Sequence, residues 1–343
     1  GARLRRPPAG RRRAAGPGEV NAVDRPVRVS VIIPTLNAAA WLPELLARLK
    51  SQSLPPAEII VADSSSTDGT AKLAAARGAR VITVARENFD HGGTRNLAAR
   101  RAIGDVLVFL TQDALPVDHD FLAALIRPLG EPGVAAVCGR QVPRPDADIL
   151  DRTAREFNYP PEPSRKTLAD VYRYGIKTFF FSNVCSAVQR KAFEKVGGFP
   201  EPAVLNEDMV LAARLVQAGF AVAYEPGARV WHSHRYSAGR QFRRYFDIGV
   251  SMRMNAWLLD YARAESEGVR LLRHQLRTLA RERRWGTVPR LMLETAAKYL
   301  GYRLGLAYRK LPLSLCRKFS MHRYFWERGK PPLYGCTRIE TGN

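Results

Sequence analysis

From residue 28 to residue 110, short continuous apolar runs alternate with stretches of helical spacing. Residues 29–33, 59–62, 79–84 and 106–110 are apolar almost without interruption, the pattern of strands covered on both faces rather than one. Between the first two, residues 41–51 place Trp41, Leu45, Leu46 and Leu49 on one helical face. Thr67-Asp68-Gly69-Thr70 opens a second helix, with Thr67 or Asp68 as its cap. Residues 92–101 read as loop turning into helix. Strand–helix alternation of this kind predicts a mostly parallel sheet flanked by helices on both faces. After Asp118 the pattern loosens. A strand is predicted over 134–138, a long proline- and charge-rich loop with a short helix over 143–166, and a β-leaning run over 179–185. A helix at 206–218 and a strand at 221–224 follow. Beyond about Tyr236 strand signals vanish, and Arg-studded helical segments run to about Ser320.

Composition narrows the class. The chain has 343 residues, is 46% hydrophobic and carries a formal net charge of +22. It can bury a substantial core, and its charge calls for an anionic partner or surface. Residues 1–27 are too rich in Arg, Pro and Gly to build a core and read as a disordered basic tail. Cys138, Cys185, Cys316 and Cys336 are scattered, which argues against structural zinc and a disulfide framework and favours a reducing cytoplasmic setting. Neither a signal peptide nor an apolar run long enough to span a bilayer is read from the sequence.

The chemistry concentrates where strands end. Asp63 and Asp113 each follow a buried strand, and the carboxyl edge of an α/β sheet is where ligands bind. Asp63 suits the imino N–H of a pyrimidine, and the hydroxyls and helix start that follow, through Ser65 and Asp68, suit ribose or phosphate. Pro34-Thr35-Leu36-Asn37 leaves the first strand toward the same edge. In His91-Gly92-Gly93-Thr94-Arg95-Asn96 the glycines allow close backbone approach, and Arg95 can meet a diphosphate or a carboxylate such as Asp63. Gln112-Asp113 offers one hard oxygen ligand for a divalent cation and one neutral neighbour. Glu207 and Asp208 open an otherwise apolar helix, either as dipole-favoured residues or as a general base. His232 and His234 alternate on an extended segment, so their rings point the same way and one of them is a credible metal ligand.

Taken in order, these motifs resemble the family 2 glycosyltransferases of GT-A fold, the Rossmann-like nucleotide-diphospho-sugar transferases. The likeness spans roughly residues 28–234. It is most similar to bacterial rhamnosyltransferases in the stretch 88–96, in Gln112-Asp113-Ala114, in Phe180-Phe181-Ser182-Asn183 and in His232-Ser233-His234-Arg235-Tyr236. The resemblance implies nucleotide contacts from Pro34, Thr35, Asn37, Asp63, Ser65 and Arg95. It implies Mg²⁺ or Mn²⁺ on Asp113 with His232 or His234, and Asp208 as base with Glu207 beside it. It further implies an inverting transfer from dTDP-L-rhamnose to a saccharide or polyprenyl-diphosphate-linked glycan. Gln112 departs from the family, many members of which carry Asp there.

The expected organisation is a tail (1–27), a GT-A catalytic domain (28–235) and a helical C-terminal region (236–343). In 291–310, Leu293, Ala297, Leu300, Leu304 and Ala307 recur at helical spacing among Lys298, Arg303, Arg309 and Lys310. A basic amphipathic helix of this type suits an anionic membrane surface, the inner face of the cell membrane, or a second copy of the chain. A nucleic-acid-binding protein fits the charge alone, but shows no recognition motif and leaves Asp63, Asp113 and Asp208 unexplained. A noncatalytic scaffold on the same fold remains open to test by turnover, and a nucleotidyltransferase would carry a Gly-rich basic signature where Pro34-Thr35-Leu36-Asn37 stands.

Overall fold

The computed structural model describes residues 27–261, 265–327 and 329–334. Residues 1–26 of the expected tail, and Cys336, lie outside the described residues. The strands are β1 (Val29–Thr35), β2 (Glu58–Asp63), β3 (Arg80–Thr83), β4 (Val106–Leu110), β5 (Leu115–Pro116), β6 (Val134–Val142), β7 (Ser164–Lys166), β8 (Cys185–Gln189) and β9 (Ala221–Trp231). They form one sheet in the order β3-β2-β1-β4-β8-β6-β9-β5, with β7 also paired to β9.

The first four strands are parallel, as the alternation predicts. The remainder is not. β8 runs antiparallel between β4 and β6, and β5 and β7 run antiparallel to β9. The sheet is therefore mixed. Continuous apolar runs report that both faces are covered, and carry no information on strand direction.

Strand order reverses between β1 and β4, because β2 and β3 extend the sheet one way from β1 and β4 adds on the other side. Such a switch point leaves a crevice beyond the strand ends. Pro34 sits where it does least harm. The β1–β4 register ends at Ile32 opposite Phe109, while the β1–β2 register continues to Thr35 opposite Asp63. The missing Pro N–H thus falls where pairing to β4 has already stopped, and the two strands part toward the crevice.

Two apolar clusters fill the sheet's faces. One joins Ile32, Ile60 and Phe109 to Leu211, Leu215 and Trp257; the other joins Val31, Val61 and Val108 to Leu42, Leu46 and Phe121. Several boundaries differ from expectation. The 179–185 run is not a strand: Gly175–Phe179 is a 3₁₀ turn and β8 begins at Cys185. The 143–166 loop holds a full helix, Ile149–Asn158, capped by the Asp148 carboxylate. β9 is longer than 221–224 and delivers His232 directly from its end. Among the described residues no helix is long and apolar enough to cross a membrane. Cys138, Cys185 and Cys316 are buried free thiols.

Residues beyond 236 pack into apolar clusters with the residues before them. Met252, Trp257 and Leu258 join the first cluster, and Leu279 and Leu291 pack with Leu150. The apolar stripe read over 291–310 divides in the structure: Leu304 packs against the cluster of Phe246, Val250 and Tyr308. Gly301 and Gly305 of helix Val288–Leu306 lie against the backbone of Phe242 and Phe246 in helix Ala238–Met254, where an added Cβ would sit 2.3 and 2.1 Å from a carbonyl oxygen. Leu293 and Leu300, in contrast, are exposed, together with Met292 and Tyr299.

Candidate active site

At the β1–β4 crevice the loops are bound to one another before any ligand is considered. Gln112 accepts from the Leu36 N–H through Oε1 at 2.8 Å and donates to the Leu36 carbonyl through Nε2 at 3.2 Å. An Asp is shorter and has no donor, so it cannot make this two-way clamp. The neutral residue that departs from the family is thereby accounted for by the β1 exit loop. Asn37, held at φ 49°, donates its N–H to Ser66 Oγ and accepts from the Thr67 N–H. Asn tolerates this left-handed geometry through its short polar side chain.

The Asp63 carboxylate is buried and turned into the same lattice. Oδ1 accepts from the hydroxyls of Thr35 (3.0 Å) and Ser66 (2.5 Å), and Oδ2 accepts from the Ser66 N–H (2.9 Å). Asp68 accepts from the Ala39 N–H and from both the N–H and hydroxyl of Thr70. Those hydrogen bonds, the Thr70 hydroxyl foremost, lower its pKa. Ser65 donates to the Val84 carbonyl. Asp63, Ser65 and Asp68 thus fasten loops, while Pro34, Thr35, Ser64, Arg95 and Gln112 line a cavity of about 550 Å³.

Gly92 and Gly93 have a packing explanation. A Cβ on Gly92 would lie 2.0 Å from the Pro200 carbonyl oxygen, and one on Gly93 2.7 Å from Glu201 Oε1. Their N–H groups both donate to Asp90 Oδ1, which caps helix His91–Arg101. The close backbone approach expected at this pair is therefore to the 200–201 loop, and the first N–H groups of the helix are already satisfied.

That helix brings Arg95 to Glu207. Arg95 Nη1 lies 3.2 Å from Glu207 Oε1, with both side chains 6% exposed. Asn183 Nδ2 donates to the same Glu207 oxygen at 3.1 Å, and the Asn183 N–H donates to Asp208 Oδ2 at 3.1 Å. Asn206, at φ 59°, turns the chain sharply into helix Glu207–Gln217, so both acids sit in its first turn. Glu207 is consumed by Arg95 and Asn183. Asp208 stays partly exposed, and burial together with the neighbouring Glu207 charge pushes its carboxyl up, opposed by the N–H groups of Asn183 and Met209 and by Arg95. A carboxyl held high by these causes is suited to take a proton near neutral pH.

Asp113, His232 and His234 converge, each with a ligand atom within 4.8 Å of the others. Asp113 Oδ2 lies 3.6 Å from His232 Nε2 and 3.2 Å from His234 Nε2. The tautomer of His232 follows from its second partner. His232 Nδ1 is 2.9 Å from Gln141 Oε1, and Arg155, which can only donate, also reaches that oxygen. Gln141 Nε2 in turn donates to Ser182 and Tyr159. Oε1 is therefore an acceptor, and His232 Nδ1 carries the proton. Burial, with Arg155 and His234 adding to it, keeps His232 well below its ordinary pKa. Its Nε2 lone pair consequently faces a carboxylate, an arrangement that a cation between them converts from repulsion to ligation. Burial likewise lowers His234, against the pull of Asp113, and its ring stacks on Tyr236 at 5.1 Å. One carboxylate and two neutral imidazoles fit a divalent metal, with Gln141 as the outer partner that orients a ligand.

Three participants escape sequence reasoning: Gln141, Asn183 as a bridge to both acids, and the C-terminal segment 321–325, which lines the cavity beside Thr35 and Arg95. Asn183 had a signal, lying within Phe180-Phe181-Ser182-Asn183. Gln141 and the C-terminal segment had none.

Residues 30–197 match Glycosyl transferase family 2. The chain is 42% identical over 303 residues to the O-antigen chain rhamnosyltransferase RfbN of Salmonella typhimurium, covering 88% of this chain and 96% of that one. It is also 42% identical over 301 residues to the O-antigen chain rhamnosyltransferase WbaN of Salmonella anatum, covering 87% and 95%. In three dimensions it is similar to the mannosyltransferase PcManGT of Pyrobaculum calidifontis, solved with GDP-Man and Mn²⁺, at a TM-score of 0.54 and 22% identity over 88% of each chain. The chain belongs to glycosyl transferase family 2 and is a glycosyltransferase of GT-A fold.

Proposed function

We propose that this enzyme transfers L-rhamnose, with inversion, from dTDP-L-rhamnose to a hydroxyl of a saccharide or polyprenyl-diphosphate-linked glycan during bacterial surface polysaccharide synthesis. The choice of sugar and pathway is supported by the two O-antigen relatives that match nearly end to end. The observation that carries the chemistry is the His232 lone pair turned onto Asp113; Asp208, its carboxyl raised by burial and by Glu207, is the base of this reading.

Asp208 takes the proton of the acceptor hydroxyl as that oxygen attacks the anomeric carbon. The Asn183 N–H fixes the Asp208 carboxylate, and Arg95 with the Asn183 amide holds Glu207 in place beside it. Pro34, Thr35 and Ser64 border the nucleoside. Asp63, Ser65, Asp68 and Asn37 hold their loops in place, and Gly92 and Gly93 let the Arg95 helix dock. Asp113, His232 and His234 would hold Mg²⁺ or Mn²⁺, which supplies positive charge to the departing diphosphate. Two imidazole nitrogens in the set favour Mn²⁺ over Mg²⁺.

A screen of nucleotide sugars, read by released nucleoside diphosphate with a rhamnosyl-acceptor glycan present, tests the donor. dTDP-L-rhamnose should exceed UDP- and GDP-sugars by at least about tenfold. Equal or greater release from a UDP- or GDP-sugar would remove the donor assignment.

The same reading puts the enzyme on the cytoplasmic face of the membrane, where a lipid-linked acceptor is presented. Trp285, Met292, Leu293, Tyr299 and Leu300 are exposed on and just ahead of helix Val288–Leu306, and Arg281, Arg283, Arg284, Arg309 and Lys310 are exposed beside them in the chain. Apolar side chains flanked by cations match an anionic lipid surface. The protein should float with phosphatidylglycerol-containing vesicles and not with pure phosphatidylcholine, and Leu293→Asp with Leu300→Asp should abolish flotation. Self-association through this face, seen as a monomer–dimer shift on the double substitution without flotation of wild type, would replace the membrane by a second copy.

A further inference from the structure

The cavity beyond β1, β2 and β4 is closed on its far side by residues from the other end of the chain. Thr35, Ser64 and Gln112 form one wall; Met321, His322, Tyr324 and Phe325 form part of the other. These two walls are more than 200 residues apart in sequence, and nothing about residues 321–325 marks them as part of a donor site.

The segment is held at both ends. Before it, the Met321 N–H donates to Oδ2 of the fully buried Asp247 at 2.8 Å. After it, Trp326 is fully buried, packed on Tyr308 with ring centroids 5.8 Å apart and on Phe246 at 6.1 Å. Between these anchors the residues facing the cavity have their own links across it. His322 Nε2 lies 3.3 Å from Nε2 of His91, the first residue of the helix that carries Arg95. Burial, with nearby Arg95 and Arg244 acting in the same direction, holds His91 at a pKa of about 3, and burial together with His91 does the same for His322. Both rings are thus neutral, and one Nε2–H donates to the other's Nε2 lone pair. On the outer rim the Arg86 guanidinium lies 5.7 Å from the Tyr324 ring centroid, and Tyr324 remains 46% exposed.

Tyr324 and Phe325, with Phe89 and Asp90, also separate this cavity from a second one of about 260 Å³, bordered by Glu87, Glu201 and Lys330. The partition gives the larger cavity a defined side. It has an aromatic wall, cations at Arg86 and Arg323, and strand-end hydroxyl and backbone groups opposite. Its volume lies in the range of small-molecule sites. An aromatic face accepts a nucleobase by stacking, and the guanidinium groups suit phosphate oxygens.

We propose that the segment Met321–Phe325 is the second wall of the donor site, with Tyr324 as the ring against which the nucleobase lies and His322 as the positioning residue that holds this wall to His91. The inference rests on the proposed sugar-nucleotide reading and adds that the C-terminal region contributes directly to donor binding, besides any contact with a membrane. It also means that the donor site is assembled only when the C-terminal helices have packed on the catalytic sheet.

Calorimetric binding of dTDP to the full-length protein tests this, with ADP as a control base. Tyr324→Ala should weaken dTDP about tenfold and reduce the preference for dTDP over ADP, whereas Tyr324→Phe, which keeps the ring, should bind like wild type. His322→Ala should raise the KM for the donor about tenfold, and this rise should make up most of its loss in kcat/KM. In wild type, independent of any substitution, the amides of 321–325 should exchange more slowly with dTDP bound. If wild type binds dTDP but Tyr324→Ala binds it equally well and the amides are unaffected, the wall is not part of the site, and the sugar-nucleotide reading stands. If wild type binds neither nucleotide and releases none from any sugar donor, that reading fails and takes this inference with it.

Discussion

Asp208→Asn is expected to lower turnover by about 10² to 10⁴-fold, the usual contribution of a positioned general base, while dTDP binding stays within a few-fold of wild type. Asn keeps the side-chain volume at the start of helix Glu207–Gln217 and cannot accept the hydroxyl proton. The pH profile carries the finer test. The wild-type carboxyl is pushed up to about 7 by burial and by Glu207. A base works deprotonated, so kcat should rise with pH through about 7 and level off above it. In Asp208→Asn the residual rate should lose that rise. Glu207→Gln should behave differently. It removes the charge that raises Asp208 and leaves the buried Arg95 without its carboxylate, so the rise should move to lower pH and folding should weaken, since breaking a buried pair typically costs about 3–5 kcal/mol. A profile for Asp208→Asn that matches wild type in both height and shape would exclude Asp208 as the base.

Chelation should have an effect of similar size. Removing divalent metal is expected to suppress transfer by at least about 10²-fold, because a Lewis acid on a departing diphosphate is worth several kcal/mol. Mn²⁺ should restore the rate at lower concentration than Mg²⁺. Asp113→Asn, His232→Ala and His234→Ala should each weaken Mn²⁺ binding, measured by calorimetry on the protein without substrate. Gln141→Ala should weaken it by about 10- to 100-fold, the usual cost of losing an outer partner. That substitution touches no ligand atom. It frees the His232 Nδ1 proton to move, so the lone pair no longer has to face Asp113. Unchanged activity in excess EDTA would end the metal role of the cluster, and unchanged Mn²⁺ affinity in Gln141→Ala would end the tautomer argument alone.

Legibility in the sequence followed the distance over which each feature is decided. The four strands 29–33, 59–62, 79–84 and 106–110 were readable because burial of both strand faces leaves a local signature of continuous apolar residues. Asp113 was readable because it follows such a strand, and the pair His232 and His234 because alternation on an extended chain is itself local. The second half of the sheet was less so: β8 sits antiparallel between β4 and β6, and a strand's direction depends on where its neighbours come from. Arg95 was read as meeting a diphosphate or a carboxylate such as Asp63, without the carboxylate being singled out. The structure gives it Glu207, 112 positions later, because helix His91–Arg101 docks on the 199–201 loop through its glycines.

By itself, the sequence determined that this chain is an α/β protein with acids at its strand ends, and, through the order of its motifs, the family to which it belongs. Only the tertiary structure decided what those side chains touch. Gln112 became a clamp on Leu36, Asp63 a fastener of loops, Gln141 the residue that selects the His232 tautomer, and the 321–325 segment a wall of the cavity. The physical reason is common to Gln112, Gln141 and the 321–325 segment. Periodicity and end signals record how a residue sits relative to its own strand or helix. A hydrogen-bond partner 76 or 91 residues away, or a ring 231 residues away, is chosen by how complete elements pack, and that choice leaves no trace in the local pattern.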